Sequence, residues 1–445
     1  MPTTLTSTTN RPWLAAWLAD IEAARRRIAG IALHTPAVPS PALAEISGAE
    51  VYLKLETLQP TGSFKVRGAA SKLVRLVAES SGEPTAGGAR ATPATGTGSA
   101  PRQPAAAGAA PLPAAAGAAR QPAAAGVAPH PAAAKAARHP AANAARPGRS
   151  TPQAPGVTDA ADRDAAGSAE LPAGPRVPGV TAFSTGNHGR AVAYVASRLG
   201  LRAVICVSRG VPAVKLEAIR RLGAVLDVSP TQDAAEARCA RLAAEEGLVP
   251  VHPFDDPDVI AGQGTLGLEL LEDLPHLEAV IVPLSGGGLL SGVALALKAR
   301  RPGVRVIGVS MERAPVMFHS LQAGHPVSLP EEPTLADSLV GGIGVDNRWT
   351  FRLVRELADD VVLVSEEAIA RAMAFMLREH GLLVEGGAAT AIAALLEAGR
   401  GASLPSLRGT FPWPRDAAPR QVAVVITGRN ADPAWAWQAM APHLS

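Results

Sequence analysis

Short apolar runs alternate with helical stretches from residue 180 to residue 426, and this alternation limits the folds open to the chain. The runs at 180–184, 202–207, 225–228, 249–252, 279–282, 305–309, 360–364 and 421–426 are rich in Val, Ile and Ala. Helical periodicity fills the intervals at 189–199, 212–222, 233–246, 264–274, 289–299, 366–380 and 388–398. A strand that is apolar on both faces has to be covered on both, and a parallel neighbour requires a crossover about as long as a helix. The chain is therefore predicted to be α/β, with open parallel sheets wrapped by helices. Its 445 residues are enough for two domains.

The first part of the chain is less regular. Residues 1–12 are Thr-rich and expected to be frayed. Residues 12–29 place Trp13, Leu14, Trp17, Leu18 and Ile21 at helical spacing and end on Arg25-Arg26-Arg27, an amphipathic helix. Thr35-Pro36 opens an extended segment that leads to a strand at Val51, and a helix at 66–78 follows. Between about 82 and 179, large apolar side chains almost vanish. Pro-Ala-Ala-Ala-Gly recurs at 104–108, 113–117 and 122–126, and Pro131 and Pro140 keep the same spacing. Alanine favours helix, but each recurring proline interrupts it. The apolar surface is too small to offset the entropy of ordering. This stretch is expected to be a long disordered Ala/Pro/Gly insertion. Residues 330–348 read as a Gly- and Asp-containing loop, and 401–420 as a mobile Pro/Gly/Arg loop.

Composition removes several function classes. The net charge is +3 and the arginines are scattered, so no nucleic-acid partner is expected. No charge-free apolar run reaches about 18 residues, and no basic-then-apolar leader opens the chain. No membrane partner and a cytoplasmic location are expected. Cys206 and Cys239 lie in a strand-like and a helix-like run and read as reduced, buried thiols. None of His252, His276, His319, His325 and His380 has a second His or Cys at ligand spacing, so no metal is expected.

The chemistry concentrates in four stretches. Val51-Tyr52-Leu53-Lys54-Leu55 is a strand, Gln59-Pro60-Thr61-Gly62 a turn, and Ser63 is placed to cap a helix whose first turn holds Lys65. An ammonium at the positive end of a helix dipole, with its stem partly buried, loses its proton more easily and becomes a nucleophile for aldehydes. On position alone a surface lysine is the better reading; the other stretches reverse that. Ser285-Gly286-Gly287-Gly288-Leu289 follows a strand and opens a helix, a backbone cradle for phosphate. It lacks the spacing of a Walker loop or a dinucleotide fingerprint. Ser184-Thr185-Gly186-Asn187-His188 also joins a strand to a helix, and its hydroxyls, amide and N–H groups suit a carboxylate. Thr427 ends the last strand.

Thr61-Gly62-Ser63-Phe64-Lys65-Val66-Arg67-Gly68 resembles the lysine motif of the threonine/serine dehydratases, pyridoxal-phosphate enzymes of the tryptophan-synthase-β fold type (fold type II). The resemblance covers residues 22 to 430 outside the two low-complexity stretches. It implies a two-domain fold. Residues 13–65 and 253–440 would form the larger domain and 66–252 the smaller, which carries the 82–179 insertion. It implies pyridoxal 5'-phosphate as cofactor, covalently held by Lys65, with Phe64 beside it. Ser285, Gly286, Gly287, Gly288 and Leu289 would hold the phosphate, and Asn187 the 3-oxygen. Thr427 would face the ring nitrogen, and Glu385 would stand behind the cofactor or cap a helix. Ser184, Thr185, Gly186, Asn187 and His188 would bind substrate.

Thr185 takes a position where family members carry Ser or Ala, so it is a second catalytic candidate and a racemase side-activity stays open. Ser285 replaces the first glycine of the family's phosphate loop. Ser310 stands where some members carry a cation-binding glutamate, which puts a bound cation in doubt. The implied reaction eliminates water from a small hydroxy amino acid to give a 2-oxo acid and ammonia, in a homodimer. The chain runs 18 residues beyond Thr427, so a regulatory domain with isoleucine feedback is not expected. The stretches Ser184–Arg190, 254–257, 260–269 and 334–338 resemble the hydroxyectoine utilization dehydratase branch. A catabolic threonine/serine dehydratase is the alternative, and a hydroxyaspartate lyase or racemase comes after it. Lys65 argues against a non-catalytic binding protein. A scaffold built on the Ala/Pro segment would lose its role if that segment were deleted, whereas catalysis would survive.

Overall fold

Strand β10 (Gln421–Ile426) is buried along its whole length and occupies the middle of the main sheet. The computed structural model describes residues 12–82, 177–184, 186–413 and 419–444. The expectations for residues 1–11, for 83–176, for 414–418 and for Thr185 lie outside the described residues. The described residues fall in one compact unit.

In chain order the elements are α1 (Pro12–Ile28), β1 (Ala37–Pro39), α2 (Pro41–Ser47), β2 (Glu50–Leu55), α3 (Lys65–Ser80), β3 (Val180–Phe183) and α4 (Asn187–Arg198). Next come β4 (Ala203–Ser208), α5 (Ala213–Arg220), β5 (Val225–Ser229), α6 (Gln232–Glu246), β6 (Val249–Pro250) and α7 (Pro257–Asp273). The chain continues through β7 (Ala279–Pro283), α8 (Gly288–Arg300), β8 (Arg305–Met311), α9 (Val316–Ala323), α10 (Thr350–Leu357) and β9 (Asp360–Val364). It closes with α11 (Glu366–His380), α12 (Gly386–Gly399), β10 and α13 (Pro433–Met440).

Six strands form one sheet in the order β1-β2-β10-β7-β8-β9, parallel except for β1. Four form a parallel second sheet in the order β5-β4-β3-β6. Helices α1, α7, α8 and α10 cover one face of the main sheet, and α11 and α12 the other. The second sheet is covered by α3 and α4 on one side, while α6 supplies Cys239 and Leu242 to the other. Cys206 and Cys239 are free, buried thiols, both against Thr181 Oγ1 at 3.9 and 3.5 Å. Among the described residues no helix is long and apolar enough to cross a membrane.

Four local readings change. The segment after Thr35-Pro36 is broken by α2, because Ser40 caps it, Pro41 starts it and Gly48 ends it in the left-handed region. Helix α7 begins at Pro257 rather than near 264, since the Asp256 carboxylate accepts from the N–H groups of Asp258 and Val259 at 2.7 and 3.1 Å. Helices α9, α10 and α13 occupy stretches to which no element is assigned from sequence, although α10 places Phe351, Leu353, Val354 and Leu357 on one buried face. The described part of the 401–420 loop is pinned. Asp360 accepts from Ser406 Oγ (2.7 Å), Arg408 N (3.0 Å), Thr410 N (2.8 Å) and Phe411 N (3.2 Å).

Candidate active site

The carboxyl ends of β2, β7 and β10 in the main sheet and of β3 in the second sheet feed loops that meet, as open α/β sheets place their ligand crevices. β2 runs alongside β10 with Leu55 opposite Ile426, so the lysine loop and Thr427 leave the sheet together. Ser63 then pairs with Gly428 in an antiparallel bridge, and Phe64 N donates to the Thr427 carbonyl at 3.1 Å. The bridge draws Ser63 out of capping geometry. Phe64 takes the cap position with helical backbone and no side-chain bond, which corrects the sequence expectation. The Ser63 hydroxyl is left buried without a partner.

Lys65 opens α3. Its Nζ donates to the Pro253 carbonyl at 2.8 Å and lies 5.2 Å from the Phe64 ring centroid. Burial pushes the ammonium down from 10.5 to about 8. Pro253 is held in place by its neighbours. His252 Nδ1 accepts from Phe254 N and Asp255 N at 3.3 and 2.8 Å, and the His252 ring sits edge-on to Phe183 and Phe254. Phe254 also forms the floor of the glycine loop. A Cβ at Gly286 would fall 2.4 Å from its ring, and one at Gly288 2.9 Å from its Cα. Gly287 has φ +87 and precedes α8 with no side-chain cap. The first N–H groups of α8 are thus left to an anion. Ser285 is half-buried at the loop entrance. Leu289 packs in the core, so only its backbone can serve a ligand.

On the opposite side, Ser184 Oγ accepts from Gly186 N (3.0 Å) and Gly189 N (2.8 Å), and so is spent on shaping the start of α4. Gly186 rests on the stem of Lys215, whose Cδ would be 3.2 Å from an added Cβ. His188 is buried, with Nε2 2.8 Å from the Val251 carbonyl. Burial, with the charge of Lys65 beside it, pushes its imidazole down to about 3. It is therefore a neutral structural group tying α4 to the segment after β6. Asn187 Nδ2 donates to both carboxylate oxygens of Glu385, at 3.0 and 2.8 Å. Glu385 occupies the cap position of α12 without capping it; it accepts instead from Asn187 and from Asn430 N at 2.7 Å. Burial, with Asp337 adding to it, raises its carboxyl above the usual range. Gly428 joins the two sides, since a Cβ there would lie 2.4 Å from Glu385 Oε1 and 3.2 Å from Ser63 Cβ. Thr427 is buried at this junction.

The structure thus links Phe64, Lys65, Asn187, Gly286, Gly287, Gly288, Glu385 and Thr427 through one set of contacting loops. Sequence reasoning passed over two residues. Arg67 is fully buried and donates to Glu56 (2.8 Å) and Glu269 (2.6 Å). Asn430 donates through Nδ2 to Asn187 Oδ1 (2.6 Å) and to the Thr61 carbonyl (2.9 Å). Arg67 lies within the lysine motif and Asn430 three residues beyond Thr427; an arginine two positions after Lys65 on a buried helix start was the available signal for the first.

Residues 28–111 and 163–407 match the family described as pyridoxal-phosphate dependent enzyme. The chain belongs to this family. It is 37% identical, over 93% of its length and 92% of the relative's, to a Sinorhizobium fredii protein provisionally named a threonine dehydratase. It is 32% identical to the L-threonine ammonia-lyase of Thermotoga maritima, over 93% of this chain and 76% of that one. Its fold is similar to that of maize serine racemase, with a TM-score of 0.67, 27% identity and coverage of 96% of this chain and 97% of the other. The chain is a pyridoxal-phosphate-dependent lyase, like its threonine dehydratase and ammonia-lyase relatives. Its residues fit the cofactor. A desolvated lysine, an uncapped helix start lined by glycines and the orphaned Ser63 hydroxyl are what such a ligand would use.

Proposed function

We propose that this enzyme eliminates water from a 2-amino-3-hydroxy acid, giving a 2-oxo acid and ammonia. The observation that carries the reading is the environment of Lys65. Its amine meets a neutral carbonyl, is desolvated, and stands beside a glycine phosphate cradle. Bound there, the cofactor supplies the electron sink for the pair released at the substrate's Cα. Lys65 would hold it and, once displaced by the substrate amine, take the α proton at Nζ. The N–H groups of Gly286, Gly287 and Gly288 would bind the phosphate, and the start of α4 with Asn187 would orient the substrate carboxylate. Thr427 would present a neutral hydroxyl to the ring nitrogen, which protonates the ring weakly and so favours departure of the β-hydroxyl over a long-lived free carbanion. The product enamine leaves, tautomerises and is hydrolysed to the 2-oxo acid and ammonia.

The substrate we favour is a ring-opened hydroxyectoine derivative, which carries an amine next to a hydroxyl-bearing carbon. The stretches Ser184–Arg190 and 334–338 support this branch by resemblance. Threonine or serine is the alternative, supported by the names of the relatives. The test is an absorbance spectrum of wild type and Lys65→Ala, then a 2-oxo-acid assay with threonine, serine, 3-hydroxyaspartate and 2,4-diamino-3-hydroxybutyrate. A Lys65-dependent visible band with turnover is expected, and the preferred substrate chooses the branch. A wild type that shows no band when supplied with pyridoxal phosphate would sink the proposal.

A further inference from the structure

Four side chains from three segments, Asn187 and Arg190 on α4, Glu385 before α12 and Asn430 after β10, form one oriented hydrogen-bond chain. Arg190 Nη1 donates to Asn430 Oδ1 at 2.6 Å. Asn430 Nδ2 donates to Asn187 Oδ1 at 2.6 Å and to the Thr61 carbonyl at 2.9 Å. Asn187 Nδ2 donates to Glu385. An amide can in principle sit either way round, because its oxygen and nitrogen have nearly the same shape. Here the two ends decide. A guanidinium is donor-only and an ionised carboxylate is acceptor-only. With a donor fixed at Arg190 and Glu385 Oε1 held as an acceptor by the Asn430 backbone N–H at 2.7 Å, one orientation of Asn430 and one of Asn187 satisfies every link. The Thr61 carbonyl, from the lysine loop, confirms that Asn430 must turn its Nδ2 inward.

We propose that Asn430 is a positioning residue of the active site: it fixes which way round the Asn187 amide sits, and thereby the N–H donor that Asn187 offers the cofactor. This rests on the functional reading above, in which Asn187 faces the cofactor. Asn187 Nδ2 lies within reach of both Glu385 oxygens, at 3.0 and 2.8 Å, and two oxygens of one carboxylate are close enough together to share a single N–H, which would leave the other for the cofactor. A flipped Asn187 would turn its carbonyl toward Glu385 and lose the donor.

Asn430→Asp tests this because it keeps the shape and the Arg190 contact but removes the donor. Facing a carboxylate, Asn187 is driven to flip. The double variant Asn430→Asp with Glu385→Gln lets the new amide at 385 donate to the flipped Asn187, so the link from 430 through 187 to 385 is satisfied again with reversed polarity, while the Thr61 carbonyl stays without its donor. Three readouts are compared: melting temperature of the apoprotein, cofactor affinity by fluorescence titration, and the pH midpoint of the visible band. Asn430→Asp is expected to weaken cofactor binding about tenfold, the scale of one well-made hydrogen bond. It should also displace the band's midpoint by about one pH unit. The double variant should recover part of the lost melting temperature, the Thr61 bond remaining absent, while affinity and midpoint stay displaced. Recovery of all three in the double variant would reduce Asn430 to a structural role, and an unchanged midpoint in Asn430→Asp would overturn the inference. Absence of the band in wild type would instead remove the functional reading beneath it, a distinct failure.

Discussion

Lys65 and Ser63 stand two residues apart and are unsettled in different ways. The amine of Lys65 has a carbonyl for a partner and is pushed down to about 8 by burial. About a tenth of it is therefore unprotonated at pH 7 and about nine-tenths at pH 9. The rate at which the apoprotein captures pyridoxal phosphate covalently should rise with pH and level off with a midpoint near 8, followed by stopped-flow absorbance. A rate still climbing well past pH 9, as an ordinary lysine of 10.5 would give, would contradict this. The Ser63 hydroxyl is buried and unpaired, which costs roughly 1–3 kcal/mol in a folded protein. Ser63→Ala should accordingly leave the apoprotein as stable or raise its melting temperature, while weakening cofactor binding. A loss of both would mean that the hydroxyl already serves the apo fold.

At the scale of elements, the contact of α3 with α7 sets where Lys65 begins its helix. A Cβ at Gly262 would fall 2.5 Å from the Arg67 carbonyl and 2.8 Å from Gly68 Cα. Both are backbone atoms and cannot swing away. Gly262→Ala gains about 1 kcal/mol of helix propensity, but overpacking costs about 1–3 kcal/mol, so destabilisation should win. Because α3 is what moves, cofactor affinity should drop as well; an unchanged melting temperature would show that α3 yields freely. The same contact explains why the sequence misled about the start of α7. Gly262 dilutes the helical pattern ahead of 264, although it is there so that α3 can approach. Where periodicity was undiluted, as in α11 and β10, the sequence bounds and the observed ones coincide. The caps of α2 and α13, Ser40-Pro41 and Asp432-Pro433, were present as signals but sat beside too few periodic residues to stand out. The site motifs were legible because each joins a strand to a helix. The orphaned Ser63 and the hub at Asn430 were not, since both depend on which loops meet in space.

The two sheets are joined beneath the site by buried charge. Arg67 donates to Glu56, Glu269, Thr265 and the Leu33 carbonyl, and Lys54 reaches Glu269, Asp273 and the Thr35 carbonyl. The cluster ties α3, which packs on the second sheet, to β2 and α7 of the main one. Removing one partner of such a pair leaves an uncompensated buried charge, which costs about 3–5 kcal/mol. Arg67→Ala leaves the buried Glu56 without its cation, while Lys54 still pairs with Glu269, and should lower the melting temperature sharply. Arg67→Met with Glu56→Gln and Glu269→Gln removes the charge imbalance and should recover much of the loss. Acid pH probes the same cluster. Burial alone would raise the Glu269 carboxyl, but Arg67 and Lys54 beside it hold it below its ordinary 4.5. The unfolded chain therefore binds its proton first as pH falls. The contribution of Glu269 is fully present above about 4.5 and is lost as pH drops through its depressed native value. Melting temperature measured from pH 7 downward should fall more steeply below pH 4.5 in wild type than in Glu269→Gln. Parallel acid limbs in the two proteins would show that the cluster's charge is not what holds the lysine helix to the main sheet.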